Sequence, residues 1–147
     1  MRLQGAIFDF DETLFDAAGA LLPGLERFLS LMQVESVWMY AVTARPAAEV
    51  QQALKTKRLA SYFRGVLSAP EHGTTMEDAA LYQSAVRRLR TAPPATAVFT
   101  RREALIAPLH AVGLPVILVG AGHTAQAQAE AEQVIETYEE MVQQTAL

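Results

Sequence analysis

Apolar residues along the chain fall into two alternating kinds of run. Five short, β-prone runs recur at residues 6–10, 37–42, 66–67 (the weakest), 97–99 and 115–119. Such near-continuous apolar runs between polar or turn-forming residues are the pattern of strands buried on both faces. Between them, apolar positions recur every three or four residues, as a half-buried helix requires. Residues 77–90 show this best: Leu81, Ala85 and Leu89 fall at steps of four, and Tyr82 and Val86 widen the stripe. Residues 25–32 follow Pro23 and Gly24, and residues 47–55 follow Pro46, a favoured first-turn residue. Residues 102–112 stop before Gly113, a common helix terminator. The alternation predicts an α/β fold, a three-layer, Rossmann-like parallel sheet with helices on both faces. Residues 124–147 admit two readings. One is a single helix carrying Val134, Tyr138 and Met141; the other interrupts it with a short strand at Val134 and Ile135.

Composition narrows the class. A chain of 147 residues with 51% hydrophobic content can build one core, so a single domain spanning residues 1–147 is expected. The net charge is −4 and basic residues do not cluster, so there is no nucleic-acid footprint. Cysteine is absent, which excludes disulfides and thiolate chemistry and leaves oxygen or histidine ligands for any metal. The longest apolar run, near residues 114–120, is too short to span a bilayer, and Asp9 and Asp11 arrive too early for a signal peptide. A cytoplasmic protein is the expectation.

The chemistry concentrates at the end of the first apolar run, AIFDFDETLFD. Asp9 and Asp11 are two residues apart, so a continuing strand would put both carboxylates on one face. Two such charges need a cation, a proton or a hydrogen-bond network to hold them. In parallel sheets, ligands bind beyond the carboxyl ends of the strands. Those ends carry Asp9, Phe10 and Asp11, then Thr43, Ser68, Thr100 with Arg101, and the stretch up to His123.

A strand ending in Asp-x-Asp-x-Thr, FDFDETLFD, followed by VWMYAVTARP ending on Thr43, resembles the haloacid dehalogenase-like superfamily of phosphohydrolases. The segments SAPEHGTTMEDAALY, PPATAVFTRREALIAPLHAVGLPVILV and AEQVIETYEEM follow the order of its phosphoglucomutase- and phosphatase-like branch. That branch favours the short strand at Val134 and Ile135. The resemblance implies hydrolysis of phosphate monoesters. Asp9 would be the nucleophile that becomes an aspartyl-phosphate, and Asp11 the general acid and base. Thr43 would hydrogen-bond the phosphoryl group, with the backbone N–H groups of Phe10 and Ala44, while Thr13 braces the loop. A Mg²⁺ would lie between Asp9, the carbonyl of Asp11, the phosphate and an acid from a later strand.

Two elements of that pattern depart. A lysine is expected eight residues after Ser68, where this chain has Met76, and Thr100 and Arg101 stand where the metal-binding acids are expected. Lys55, Lys57, Arg87 and Arg88 are alternative cations, and Glu103 is an alternative metal ligand. Arg101 is expected to turn inward and pair with the carboxylates, leaving Mg²⁺ binding weak. The spacings from Asp11 to Thr43 and from Thr43 to Met76 leave no room for a cap module. An open site suits a phosphorylated substrate, small or macromolecular, or a capping partner such as a second copy in a homodimer. The leading expectation is a phosphohydrolase of weakened activity; the alternative is a non-catalytic binding protein on the same fold. Trp38 and Tyr40 read as core or interface, His72 and His123 as exposed loop residues, and Arg87, Arg88 and Arg90 as a solvated helix end.

Overall fold

The computed structural model describes residues 2–145. Six parallel strands form one sheet in the order β3-β2-β1-β4-β5-β6. They are β1 (Gly5–Asp9), β2 (Trp38–Thr43), β3 (Phe63–Ser68), β4 (Thr96–Thr100), β5 (Val116–Val119) and β6 (Gln133–Ile135). The helices are α1 (Phe10–Thr13), α2 (Leu25–Val34), α3 (Ala47–Thr56), α4 (Ala79–Leu89), α5 (Ile106–Ala111), α6 (Ala125–Glu130) and α7 (Glu139–Thr145). Residues 124–145 thus form helix, strand and helix, as the second of the two readings has it. No helix among the described residues is long and apolar enough to cross a membrane.

Strand alternation splits the core into two layers. Phe8 and Phe99 stack at 4.6 Å between ring centres and meet Phe28 and Tyr138, which stack at 5.6 Å under α2 and the start of α7. Val50 and Leu54 of α3 belong to the same layer. On the opposite face, Ile7, Val42, Leu67, Val98 and Leu118 pack against α4, α5 and Ala127 of α6. Burial of these side chains supplies the main drive to fold.

Element ends differ from the sequence pattern for local reasons. β1 stops at Asp9, one residue early, because the Asp9 carboxylate caps α1: its Oδ1 accepts from the Asp11 N–H at 3.2 Å. Asp11 therefore lies on a helical turn, and the expected shared strand face with Asp9 does not form. Asp78 caps α4 in the same way, so the helix begins at Ala79 and leaves Glu77 outside it. The expected helix over residues 102–112 is shortened to α5 because residues 103–105 wind as a 3-10 turn.

β3 is an edge strand with an irregular register: Met39 pairs with Phe63 and Ala41 with Val66, so three steps on β3 oppose two on β2. Such a bulge twists an edge away from further pairing. Tyr40 is buried, as expected, whereas Trp38 is 47% exposed with the Arg64 guanidinium 4.4 Å from its ring centre.

Gly120, just past β5, has φ +105, and a Cβ there would collide with the Arg101 guanidinium. Gly120→Ala should therefore destabilise by more than about 1 kcal/mol, read as a lower urea midpoint.

Candidate active site

The sheet brings Asp9, Thr43 and Thr100 to one edge. Asp9 pairs with Val42 in the sheet, which puts Thr43 one residue beyond, and Phe8 opposite Phe99 sets Thr100 beside Asp9. Thr13 Oγ1 donates to the Asp9 carbonyl at 2.6 Å and tightens the turn. Beyond it a short hairpin, bridged antiparallel between Phe15 and Leu21, is pinned by Asp16, whose Oδ1 accepts from the N–H groups of Ala18 and Ala20.

Asp9 is fully buried. Its Oδ2 accepts from Arg102 Nε at 3.0 Å. Arg102, 21% exposed, also reaches Glu12 at 3.1 Å and Glu77 at 2.8 Å, so one guanidinium serves three carboxylates. Burial pushes the Asp9 carboxyl up to about 6, and the Arg102 charge offsets only part of that. The fork of a guanidinium suits this task, since its five donors lie in one plane.

Asp11 faces the other way. Its Oδ1 accepts from Thr43 Oγ1 at 2.7 Å and its Oδ2 from the Ala44 N–H at 2.8 Å, with Arg45 Nε at 3.7 Å. The groups expected to hold a phosphoryl oxygen, Thr43 and Ala44, are thus engaged by a carboxylate of the same chain. The physical cause is α1: a helical turn rotates Asp11 away from Asp9 and toward the end of β2.

The expectations for Arg101, Glu103 and His123 change, and the structure places Thr100 and Met76. The inward cation is Arg102, not Arg101: Arg101 Nε donates to the Glu12 carbonyl at 2.6 Å and its guanidinium lies against Gly120. Thr100 is buried at the end of β4, and its Oγ1 accepts from the Arg102 N–H at 3.0 Å, which sets the course of the chain into Arg102. Met76 is buried in the second core layer, with its carbonyl accepting from the Tyr82 hydroxyl at 2.7 Å; burial raises the pKa of that phenol. Glu103 turns away from Asp9 to the start of α6, accepting from the Thr124 N–H and hydroxyl and from His123. These bonds hold its carboxyl below the usual value, and they make His123 a half-buried structural residue rather than an exposed one.

The other candidate cations also lie elsewhere. Lys57 sits over the Phe15 ring at 5.8 Å and donates to the Gly19 carbonyl, while Arg87 meets Ser84 and Arg88 meets His72. Sequence reasoning missed Arg102, Glu12, Glu77 and Arg45. Arg102 and Glu77 each stand one place past a singled-out position (Arg101 and Met76), and both follow a residue turned into the fold.

A magnesium ion requires several oxygen ligands converging at about 2.1 Å. Here Asp9 and Asp11 diverge, Arg102 holds the Asp9 oxygen, and among the described residues no three acidic or histidine side chains converge to hold a metal ion. As placed, the residues do not fit magnesium.

No family model and no curated sequence matches the chain. Solved structures do. A "putative beta-phosphoglucomutase" from Thermotoga maritima superposes with a TM-score of 0.71 at 19% identity, over 84% of this chain and 59% of its own. A "predicted phosphatase" from Clostridium acetobutylicum gives 0.70 at 21%, over 86% and 60%. A "Putative Phosphatase" from Clostridium difficile gives 0.80 at 11%, over 99% of both chains. The chain thus spans about three-fifths of the length of the first two. At these identities the likeness is one of fold.

Proposed function

We propose that this chain, which has the haloacid dehalogenase-like fold of those structures, is a phosphohydrolase-type protein that takes a phosphate monoester at the edge between Asp9 and Thr43. Its turnover is held low by Arg102. The observation that carries this reading is the buried Asp9 at the carboxyl end of the central strand, one register step from Thr43. In the reaction, an Asp9 oxygen attacks phosphorus while the bond to the ester oxygen breaks. The leaving oxygen takes a proton from Asp11, and water then attacks the aspartyl-phosphate, giving its proton back to Asp11. Thr43 and the Ala44 N–H steady the phosphoryl oxygens. Both Asp9 oxygens are engaged in the resting geometry, Oδ1 by the Asp11 N–H and Oδ2 by Arg102, so attack requires Arg102 to let go. Among the described residues no cap module closes over the site, and an open edge of this kind suits a macromolecular phosphate as well as a small one.

A generic aryl phosphate, assayed with and without Mg²⁺, tests the proposal. Turnover should be slow, should differ little between the two conditions, and should vanish in Asp9→Asn. Normal turnover in Asp9→Asn would place the reaction elsewhere. A second reading, a non-catalytic binding protein, is favoured by the zero exposure of Asp9 behind Arg102. Phosphate binding without any turnover on aryl phosphates would select it.

A further inference from the structure

We propose that the Asp11 carboxylate is an internal competitor that closes the phosphate position at Thr43 and Ala44 in the free protein, and that a phosphate monoester displaces it there without a metal, with Arg45 as its cation. The inference rests on the phosphate position assigned above. The Asp11 carboxylate is held as a ligand would be, one oxygen on the Thr43 hydroxyl at 2.7 Å and the other on the Ala44 N–H at 2.8 Å. A carboxylate and a phosphate present similar two-oxygen forks to such donors, as bidentate recognition of both by arginine shows.

The Thr43 hydroxyl is also fixed in direction. It accepts from the Arg45 N–H at 3.0 Å, so its own proton points at the anion. Arg45, 53% exposed, stands at the mouth with its Nε 3.7 Å from Asp11, too long for a good hydrogen bond. A larger, more highly charged anion would bring it within reach. Arg102 stands beside Asp9 but is already shared with Glu12 and Glu77, so the cation that meets the anion is Arg45. Asp11 is 14% exposed and sits on a four-residue turn, placed to swing outward when displaced.

Asp11 then behaves as an intramolecular competitor, and removing it must strengthen binding of the anion. Calorimetry with inorganic phosphate on the full chain in EDTA should show weak binding to the unmodified protein. Asp11→Ala should bind at least about tenfold more tightly, the factor expected when one charge-assisted contact no longer has to be broken. Adding millimolar Mg²⁺ should change neither value. Thr43→Val in the Asp11→Ala background should reverse the gain. Asp11→Asn, close in shape, should give a smaller gain and decides the question if the alanine variant does not fold. No gain in either Asp11 variant, or binding that appears only with Mg²⁺, would overturn the inference. Tighter phosphate binding without aryl phosphate turnover sinks hydrolysis alone, while slow, Mg²⁺-independent turnover that is lost in Asp9→Asn, without a gain in the Asp11 variants, sinks this inference alone.

Discussion

Asp9→Asn is expected to raise the melting temperature at pH 7 and to leave it unchanged below pH 4. The Asp9 carboxyl titrates near 6 in the folded chain against an ordinary value of 3.8, chiefly because burial disfavours its charge. Between those values the native state holds a proton that the unfolded chain has lost, so stability falls as the pH rises through that window. Above about pH 6 the full cost is carried. A shift of this size corresponds to roughly 3 kcal/mol, which asparagine avoids because it does not ionise. For a domain of this length that is on the order of 5–10 °C. The amide can still accept from Arg102, which keeps Glu12 and Glu77 as partners. Calorimetric melts of both proteins from pH 3.5 to 8 provide the check. A lower melting temperature for the variant at pH 7 would mean that the pairing with Arg102 outweighs burial. The same titration predicts that any turnover rises with pH through about 6, as the nucleophile ionises.

Arg102→Met should do the reverse, lowering stability at pH 7 by roughly 3 kcal/mol. Methionine keeps much of the length of the side chain and removes its charge, leaving Asp9 buried without its counterion. The loss should shrink toward pH 4, where Asp9 becomes protonated and needs no partner. Most of it should return in the double variant with Asp9→Asn, and urea titrations of all four proteins measure that coupling. Equal losses at pH 4 and pH 7 would assign Arg102 a packing role instead. Arg102→Asp extends the test to metal binding. It places a further carboxylate beside Asp9, Glu12 and Glu77, so calorimetry should detect Mg²⁺ binding there and not in Arg101→Asp, whose guanidinium lies against Gly120.

The arrangement of strands and helices was legible because burial on both faces leaves near-continuous apolar runs, as at residues 37–42 and 115–119. The Thr43 position was legible too, since parallel register carries it beside Asp9. The direction of individual side chains was not. Whether Asp11 continues a strand or enters a turn depends on whether Asp9 caps the next N–H groups, and an aspartate is compatible with either. Similarly, two arginines in succession leave a strand on different sides, and only the bond from the Arg102 N–H to Thr100 decides which one meets Asp9. Glu77 escapes its helix because Asp78 caps it, and an aspartate just before the apolar stripe was the signal in the sequence that could have placed the helix start there.

The aromatic layer has a consequence for how the chain reaches this state. Phe8, on the first strand, is covered by Tyr138, which leads into the last helix, and almost the whole described chain lies between them. Contacts that span such a sequence distance are paid for in loop entropy before they return any burial, so they slow folding. The Phe8 face, met by Phe63 and Phe99 from neighbouring parts of the sheet, is therefore completed only when residues near 138 dock. Until that segment docks, the aromatic layer is incomplete, and chaperone occupancy on the nascent chain should persist until then.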